Sequence, residues 1–424
     1  MKTNSCLQQE EITLAQPGKM QRLWLACLLG MISAMGPLCT DLYLPALPLM
    51  QQSLGGATPS QVQLSLTASL LGLAVGQLLM GPYSDAVGRH RPLWLSLGVF
   101  SLASFWCAFA TSAWELAGVR LLQGLAGAGG IVISRAMVRD LYEGAELTRF
   151  FSLLMLVHSV APTLAPTLGG LLLQVTNWQG IFIVLGILGV LLTAGAWLGL
   201  KETLAEKNRV PANGQALLAS FVSLWGNRSF RYYVLVQGFV GGGLFAYIAG
   251  SPFVLQGGFG LSAQAFGLCF AVNSLGALLT TQLVSRFNRS YSDMFLMRLS
   301  LGVSAAASLV LLAVLVLGGP LWAVLGALWL MVACVGSTMT TSFSLAIQDQ
   351  AKAAGSASAL LGLVMFVFGA AVSPLVGLGG SALWPMGLLI ALSNGAALFC
   401  GWRALQHSRN IIKAKEERIV KKIN

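Results

Sequence analysis

Long apolar runs, separated by short polar or turn-rich breaks, fill most of this chain. Each run is long enough to cross the hydrocarbon core of a bilayer as one helix, which takes about 20 residues. The strands of a membrane β-barrel would instead alternate polar and apolar residues. The pattern therefore predicts an all-α polytopic membrane protein with twelve transmembrane helices. The limits of the twelve runs are 23–50, 61–83, 92–111, 114–137, 150–174, 178–200, 232–255, 262–285, 293–316, 320–347, 354–379 and 382–402.

The composition agrees with this pattern, because 56% of the residues are hydrophobic and only 9% are charged. Soluble globular domains carry about 25% charged residues, so this chain lacks the polar surface that would face water. We expect neither a soluble enzyme with one anchor nor a disordered protein. The net charge of +11 does not indicate a nucleic-acid partner either, because of where the charges lie.

The basic residues lie almost entirely in alternate loops and in the two tails. The short loops near 51–60, 111–114, 175–178, 256–261, 317–320 and 380–382 contain neither Lys nor Arg. Loops on the cytoplasmic side of a membrane protein carry the excess of these residues. We therefore expect a multi-pass protein of the cytoplasmic (inner) membrane with both termini in the cytoplasm.

The longest polar interruption between runs divides the twelve spans into six and six. Residues 165–169 (APTLG) in the fifth span are similar to residues 373–377 (SPLVG) in the eleventh. Two related halves of this kind usually enclose a substrate site at their interface near the bilayer midplane. The predicted domains are an N-terminal tail 1–22, an N-terminal bundle 23–200, a linker 201–231, a C-terminal bundle 232–402 and a basic tail 403–424.

Two ionisable residues lie well inside predicted spans, where such groups are costly and are functional candidates by default. Asp41 lies in the last third of the first span, and Arg120 lies one to two turns into the fourth. A carboxyl group removed from water disfavours its anion, so Asp41 can exchange a proton when a gate wets it alternately from each side. Arg120, if nearby, would stabilise the anion. The alternative is that Asp41 merely ends a helix, helped by Pro45 and Pro48.

Polar and aromatic residues within the spans are candidates for substrate contacts, although the same residues could simply bridge or pack helices. His158 could relay protons or could be a neutral, hydrogen-bonded histidine. The scattered Cys and His residues do not predict a metal site, and no phosphate-binding loop occurs that would indicate a nucleotide cofactor. The substrate-contact candidates are Tyr43, Gln63, Gln237, Phe239, Phe245, Tyr247, Asn273, Met365 and Phe366.

Three stretches carry a resemblance to a known family. The loop after the second span contains Gly81, Asp85, Gly88, Arg89 and Arg91, and it resembles the signature loop of the major facilitator superfamily. The fourth span, from Arg120 to Gly124, is similar to the family's Arg-x-x-Gln-Gly motif. In the fifth span, Pro166, Gly169 and Gly170 resemble its antiporter motif. Residues 40–48 and 134–140 look like the bicyclomycin-resistance (Bcr/CflA) branch of proton-coupled drug exporters.

This resemblance implies two pseudo-symmetric six-helix bundles that work by alternating access, without a cofactor or an enzymatic activity. It implies a proton-coupled antiporter that exports small, largely lipophilic compounds, with Asp41 as the protonated acid and Arg120 as its partner. It further implies that Asp85 and Arg89 latch the inner faces of the two halves in the outward-open state. We expect a monomer whose partners are protons, a small-molecule substrate and the lipid bilayer. The alternatives are a transporter of a polar metabolite, in either direction, and a non-transporting receptor.

Overall fold

The computed structural model describes residues 19–210, 214–288, 290–348, 350, 353–380 and 382–423. Helices account for nearly all of these residues, and no β-strand occurs among them. In chain order, the α-helices are α1 Lys19–Asp41, α2 Leu47–Ser53, α3 Pro59–Val87, α4 His90–Phe109, α5 Ala113–Leu141, α6 Gly144–Leu172, α7 Trp178–Gly199, α8 Gly214–Gly226, α9 Arg228–Pro252, α10 Ala263–Phe287, α11 Asp293–Val316, α12 Leu321–Gln348, α13 Ala354–Val376 and α14 Trp384–Ile423.

Twelve segments within the described residues are long and apolar enough to cross a membrane, and each coincides with one of the runs predicted from the sequence. The predicted all-α, twelve-span architecture is therefore confirmed. Two further helices, α2 and α8, are too short to cross a bilayer. Helix α8 lies within the predicted linker 201–231, and α14 continues through the predicted C-terminal tail.

The first span differs from the continuous run predicted over 23–50. Helix α1 ends at Asp41, and a 3₁₀ turn, Leu44–Ala46, connects it to α2. Pro45 lies within that turn and Pro48 within the first turn of α2. Proline lacks the backbone N–H that would continue the α-helical ladder. The break therefore leaves Asp41 at the end of a helix. Asp41 is only 6% exposed, so it lies inside the protein.

The spans form two bundles that meet along two pairs of helices. In the N-terminal half, α3 packs on α5, α4 packs on α7, and α1 packs on α5 and α6. In the C-terminal half, α9 packs on α13 and α14, and α11 packs on α12. The main contacts between the halves join α3 to α13 and α6 to α10. A site shared by the halves must therefore lie between these two pairs.

Glycine permits the close approach of α5 to α3. A Cβ atom on Gly124 would collide with the carbonyl oxygen of Ser69, and a Cβ on Gly76 would lie 2.6 Å from the Cβ of Ala128. Small residues let membrane helices approach closely, because apolar burial does little to drive helices together in lipid. This packing holds Arg120, one turn before Gly124, and Gln123, directly before it, against the interior of the N-terminal half.

Candidate functional site

The two halves are joined at one end of the molecule, where α3 and α10 begin and where α6, α9 and α13 end. We call it the seal end, and we call the opposite end, which carries residues 81–91, the loop end. At the seal end, Thr167 Oγ1 donates to the carbonyl of Gly267 at 3.0 Å, and Gln264 Nε2 donates to that of Gly170 at 2.9 Å. A Cβ on Gly267 would lie 2.7 Å from the carbonyl oxygen of Pro166. Two of the predicted conformational residues, Pro166 and Gly170, thus lie where the halves touch.

The second pair of helices closes the seal end in the same way. Ser60 Oγ in α3 donates to the carbonyl of Pro374 in α13 at 2.8 Å. Gln63 Nε2 donates to the carbonyl of Ala249 in α9 at 3.0 Å, while its Oε1 is buried without a partner among the described residues. Gln63, a predicted substrate contact, therefore joins the two halves in this conformation.

The turn after Asp41 also contributes to the seal. Gln256 Nε2, from the C-terminal half, donates to the carbonyl of Pro45 at 3.1 Å. Gly169, the remaining predicted residue of the antiporter motif, packs so closely on the carbonyl of Leu42 that a Cβ would collide with it. Movement of α6 or of the C-terminal half would thus act directly on the backbone beside Asp41.

Asp41 lies beneath this seal, at the interface of the halves. Within the described part of the chain, its carboxylate forms no ion pair. It lies within electrostatic range of Tyr247 in α9, in the opposite half, and of Arg120. A carboxyl group so placed is far less hydrated than one at a surface, which is the condition that the proton-site hypothesis requires.

Arg120 is completely buried, with an exposed fraction of 0%. Its guanidinium carbon lies 4.5 Å from the ring centroid of Tyr43 and 5.7 Å from that of Phe182. Its Nη1 donates to Gln123 Oε1, and Gln123 Nε2 donates to Ser104 Oγ at 2.7 Å. Its Nε and Nη2 have no hydrogen-bond partner among the described residues. Arg120 is therefore held by aromatic faces and an amide, with two donor nitrogens unused.

Asp41 and Arg120 are not joined as an ion pair in this conformation, so their predicted partnership stays a prediction. The structure instead brings Tyr43 to Arg120, and the Tyr43 hydroxyl lies 3.1 Å from Ser65 Oγ. The sequence pattern did not indicate this pairing. Tyr43 is completely buried in this arrangement, so it packs on Arg120 rather than lining an open cavity.

The predicted substrate contacts of the C-terminal half are placed within helix packing. Asn273 Nδ2 donates to the Tyr247 hydroxyl at 3.0 Å, and Tyr247 stacks on Phe270 with ring centroids 5.4 Å apart. Gln237 Nε2 donates to the carbonyl of Met339 at 3.2 Å. These polar residues bridge helices here, which was one of the two possibilities that the sequence left open.

The remaining predicted aromatic contacts lie between α9 and α13. Phe239 meets Phe368 edge to face with centroids 4.9 Å apart, and Phe245 lies 6.1 Å from Phe366. Met365 packs against Gly241. Of these residues, Phe366 lines a cavity of about 240 Å³, which Gly81 of α3 also lines.

A larger cavity of about 1020 Å³ separates the halves at the loop end. From the N-terminal half it is lined mainly by helices α3, α5 and α6, and from the C-terminal half by Leu278, Thr281 and Gln282 of α10 and Gly355 of α13. Four charged residues contribute to its wall: Asp85, Arg89, Arg135 and Arg139. The molecule is thus joined at the seal end and hollow at the loop end.

The signature loop forms a charge cluster inside the N-terminal half. Arg89 pairs with Asp85 at 2.5 Å and with Asp140 at 3.0 Å, and its Nη1 donates to Ser84 at 2.8 Å. All of these partners belong to the N-terminal half. The latch to the C-terminal half that the resemblance implies for Asp85 and Arg89 is therefore not formed among the described residues. The side chain of Arg91 is exposed.

Glu202, just after α7, holds the start of α4 and was not singled out from the sequence. Its carboxylate accepts from the backbone N–H groups of Arg89 at 2.8 Å and His90 at 3.2 Å. Partial burial raises the pKa of Glu202, but the backbone donors, which also include Thr203 and Leu204, outweigh it and lower the pKa below its usual value. Gly88, with φ of 104°, allows this approach, because a Cβ there would collide with the carboxylate.

His158 lies on α6, beside the cavity. Its Nδ1 lies 3.3 Å from the carbonyl oxygen of Ser33 in α1, and the charge of Arg135 acts on its ring. This contact fits the hydrogen-bonded alternative for His158 better than a relay between Asp41 and the cavity.

In the described part of the chain, twelve helices long and apolar enough to cross a membrane form two bundles with a cavity between them, an arrangement that defines the class of a polytopic membrane transporter. A sequence profile of the Major Facilitator Superfamily matches residues 23–374. The chain belongs to this superfamily. Its similarity to relatives named for drug resistance supports its assignment to the bicyclomycin-resistance (Bcr/CflA) branch of drug exporters.

Individual relatives agree with that assignment. The chain is 42% identical over 392 residues to the "Uncharacterized MFS-type transporter YdgK" of Bacillus subtilis (strain 168), covering 92% of this chain and 97% of that protein. It is 28% identical over 383 residues to the "Bicyclomycin resistance protein homolog" of Haemophilus influenzae, covering 89% and 96%. Its fold is similar, with a TM-score of 0.72 at 16% identity, to a bacterial homolog of the human lysosomal transporter Spinster, covering 94% and 99%.

Proposed function

We propose that the protein is a proton-coupled antiporter that exports small, largely lipophilic compounds across the cytoplasmic membrane by alternating access. The observation that carries this proposal is the position of Asp41, which is buried beneath the seal, between the two halves, without an ion pair. Relatives named for resistance to bicyclomycin and chloramphenicol support a drug as the exported compound.

The distribution of basic residues supports an orientation with the loop end toward the cytoplasm. Arg89, Arg135 and Arg139 lie around the cavity there, whereas the loops at the seal end contain neither Lys nor Arg. In this orientation the cavity faces inward, and both termini are cytoplasmic. The conformation is then the one in which an exporter receives its substrate from inside the cell.

In the proposed cycle, Asp41 takes up a proton when the seal is open to the outside and keeps it when the seal closes, because a buried unpaired carboxylate is unfavourable. When a substrate enters from the cytoplasm, Arg120 leaves the ring of Tyr43 and pairs with Asp41. The proton then leaves the carboxyl group toward the inward cavity, which Asp41 does not itself line in this conformation. The two unused donors of Arg120 are available for this pairing.

Inverted membrane vesicles test the proposal directly. In vesicles acidified inside by respiration, addition of chloramphenicol or bicyclomycin should release protons, as reported by a pH-sensitive dye. Asp41→Asn should abolish this release, because the amide cannot exchange a proton. Glu115→Gln removes a partly exposed carboxylate at the start of α5 and should leave the release unchanged.

The same measurement separates the alternatives. Proton movement in the opposite direction upon substrate addition would make the protein an importer. Binding of a compound without any coupled proton movement would make it a receptor. Undiminished proton release by an Asp41→Asn variant of normal abundance would exclude Asp41 as the coupling acid.

A further inference from the structure

The large cavity at the loop end carries an excess of positive charge. Of its four charged residues, Arg89 is neutralised by Asp85 and by Asp140. Neither Arg135 nor Arg139 forms an ion pair with any carboxylate in the described parts of the chain. These two arginines lie on successive turns of α5, so their charges reinforce each other in the same cavity.

Arg135 has an unused hydrogen-bond donor. Its Nε is buried and has no partner among the residues that the structure describes. A buried donor without an acceptor costs free energy, and an acceptor supplied by a ligand would recover that cost. The neighbouring His158 does not compensate, since its ring bonds to the carbonyl of Ser33 through Nδ1 and no hydrogen bond joins it to Arg135 Nε. The guanidinium group of Arg135 is therefore free to hold an anion, to which it can present two parallel donors.

The opposite wall of the cavity carries no charge that would compete. The C-terminal half contributes Leu278, Thr281, Gln282 and Gly355, and Phe151 and Met155 of α6 add apolar contacts from the N-terminal half. A ligand in this cavity would therefore meet a cationic wall on one side and an apolar and weakly polar wall on the other. Asp41 does not line this cavity, so the carboxylate is not what an entering ligand meets first.

We propose that this cavity binds amphipathic organic anions, whose negative group lies on Arg135 and Arg139 and whose apolar body packs on Phe151, Met155 and Leu278. The proposal names the class of compound that the cavity binds. It rests on the proposed function only in that a bound compound would then be exported. It adds a preference for negative charge to the small, largely lipophilic compounds expected from the sequence.

Two dyes with the same ring system and opposite charge provide a probe. Fluorescein is an anion with a xanthene ring, and rhodamine 123 is a xanthene cation of closely similar size. We would measure the binding of each to the full-length protein in uncharged phosphatidylcholine nanodiscs by fluorescence polarisation. Fluorescein should bind more tightly than rhodamine 123, and its affinity should fall as salt screens the arginines. Equal affinities, or a preference for the cation, would overturn the proposal.

Substitutions of Arg135 locate the interaction. Arg135→Gln should weaken fluorescein binding about tenfold or more, the usual effect of losing a charge-assisted hydrogen bond. Arg135→Lys, which keeps the charge, should retain most of the affinity. Arg149→Gln removes an exposed arginine of the same half that does not line the cavity, and it should bind fluorescein as the unmodified protein does. Unchanged binding by Arg135→Gln would overturn the proposal.

Additional measurements keep the test decisive. If Arg135→Gln does not fold, as judged by gel filtration, Arg139→Gln should show the same loss, and unchanged binding there would contradict the proposal. The binding measurement needs no proton gradient, so it is independent of transport. Fluorescein binding through Arg135 without proton release in vesicles would refute only the proposed function. Chloramphenicol-driven proton release without fluorescein binding would refute only the anion site.

Discussion

At the scale of the residue, the surroundings of Arg120 determine how the proposed proton site can work. A buried arginine usually pairs with a carboxylate, because an uncompensated charge in a low-dielectric interior is costly. Here the guanidinium lies over the ring of Tyr43 and is bonded to Gln123. A planar guanidinium can stack on an aromatic face and can also pair with a carboxylate. This property makes Arg120 suitable for alternating between two partners.

We expect Arg120→Lys to reduce drug-stimulated proton release at least tenfold, although it keeps the charge. The ammonium group of lysine cannot stack on Tyr43 with a planar face or reach Gln123 with the same geometry. The substitution should also lower the free energy of unfolding by about 1–2 kcal/mol, measured by thermal unfolding of the purified protein. Arg403→Lys is the matched control, because Arg403 is an exposed arginine that lies over Phe399 and Trp402. Equal transport by the two lysine variants would contradict this role of Arg120.

At the scale of the element, α4 begins at a junction between the signature loop and the chain that leaves α7. The first residues of a helix leave N–H groups without intrahelical partners. Arg89, which precedes α4, has no side-chain capping bond of its own. Glu202 supplies the missing acceptor from 113 residues away along the chain. The signature loop is therefore held in place by the start of the linker as well as by its own charges.

We expect Glu202→Gln to destabilise the protein at pH 7 by about 0.5–1 kcal/mol, the usual contribution of an exposed anion at a helix N-terminus. The pKa of Glu202 is lowered in the folded protein. The stabilisation of the fold by its carboxylate is therefore complete above the ordinary pKa of 4.5, and it is lost as the pH falls through the lower pKa of the folded state. Thermal unfolding of both proteins at pH 7 and below pH 4.5 measures the difference, which should shrink in acid.

Glu206→Gln serves as the control for this prediction. Glu206 is in the same segment and pairs with Arg209 at 3.6 Å, but its side chain is 88% exposed. Exposed ion pairs contribute little to stability. Glu206→Gln should therefore leave the unfolding temperature unchanged at both pH values. A loss equal to that of Glu202→Gln would mean that any charge removed from this segment has the same effect.

At the scale of the whole molecule, two pairs of helices hold the seal end together while the loop end is hollow. The seal consists of backbone carbonyls that accept bonds from side chains of the other half, with glycine at the closest approaches. Such contacts are short but few, so they could break together in the alternating-access cycle that we propose. Alternating access requires this kind of interface, because a larger apolar one would lock the conformation.

Gly267→Leu should shift the population away from the sealed conformation, because a side chain there would collide with α6 around Pro166. We would label a Ser159→Cys reporter, which lines the cavity, with a membrane-impermeant maleimide in inverted vesicles. The reporter requires a background without the seven native cysteines. Labelling should fall several-fold with Gly267→Leu. Gly302→Leu is the control, because a Cβ on Gly302 would meet no atom within 4 Å. Equal labelling of the two variants would contradict a role for Gly267 in the seal.

Most of the architecture could be predicted from the sequence, but only part of the candidate site could. The spans were predictable because a bilayer demands long apolar runs, and the two bundles because a polar linker divides the runs equally. Asp41 was identifiable because a carboxylate is rare in such a run. The pairing of Arg120 with Tyr43 was not, because aromatic residues occur throughout the spans and nothing local distinguishes this one. Glu202 was missed for a similar reason, since it is one charge in a polar segment.

The sequence by itself determined that this protein crosses the membrane twelve times in two halves. Hydrophobicity and span length are local properties of the chain, and the fit of a helix to the bilayer depends directly on them. Only the tertiary structure decided which groups meet. Ser60 and Pro374, 314 positions apart, lie together because α3 and α13 pack across the interface, and Gln63 joins the halves for the same reason. Contacts of this kind depend on the rotation of each helix and the angle between the bundles, and no local pattern specifies either.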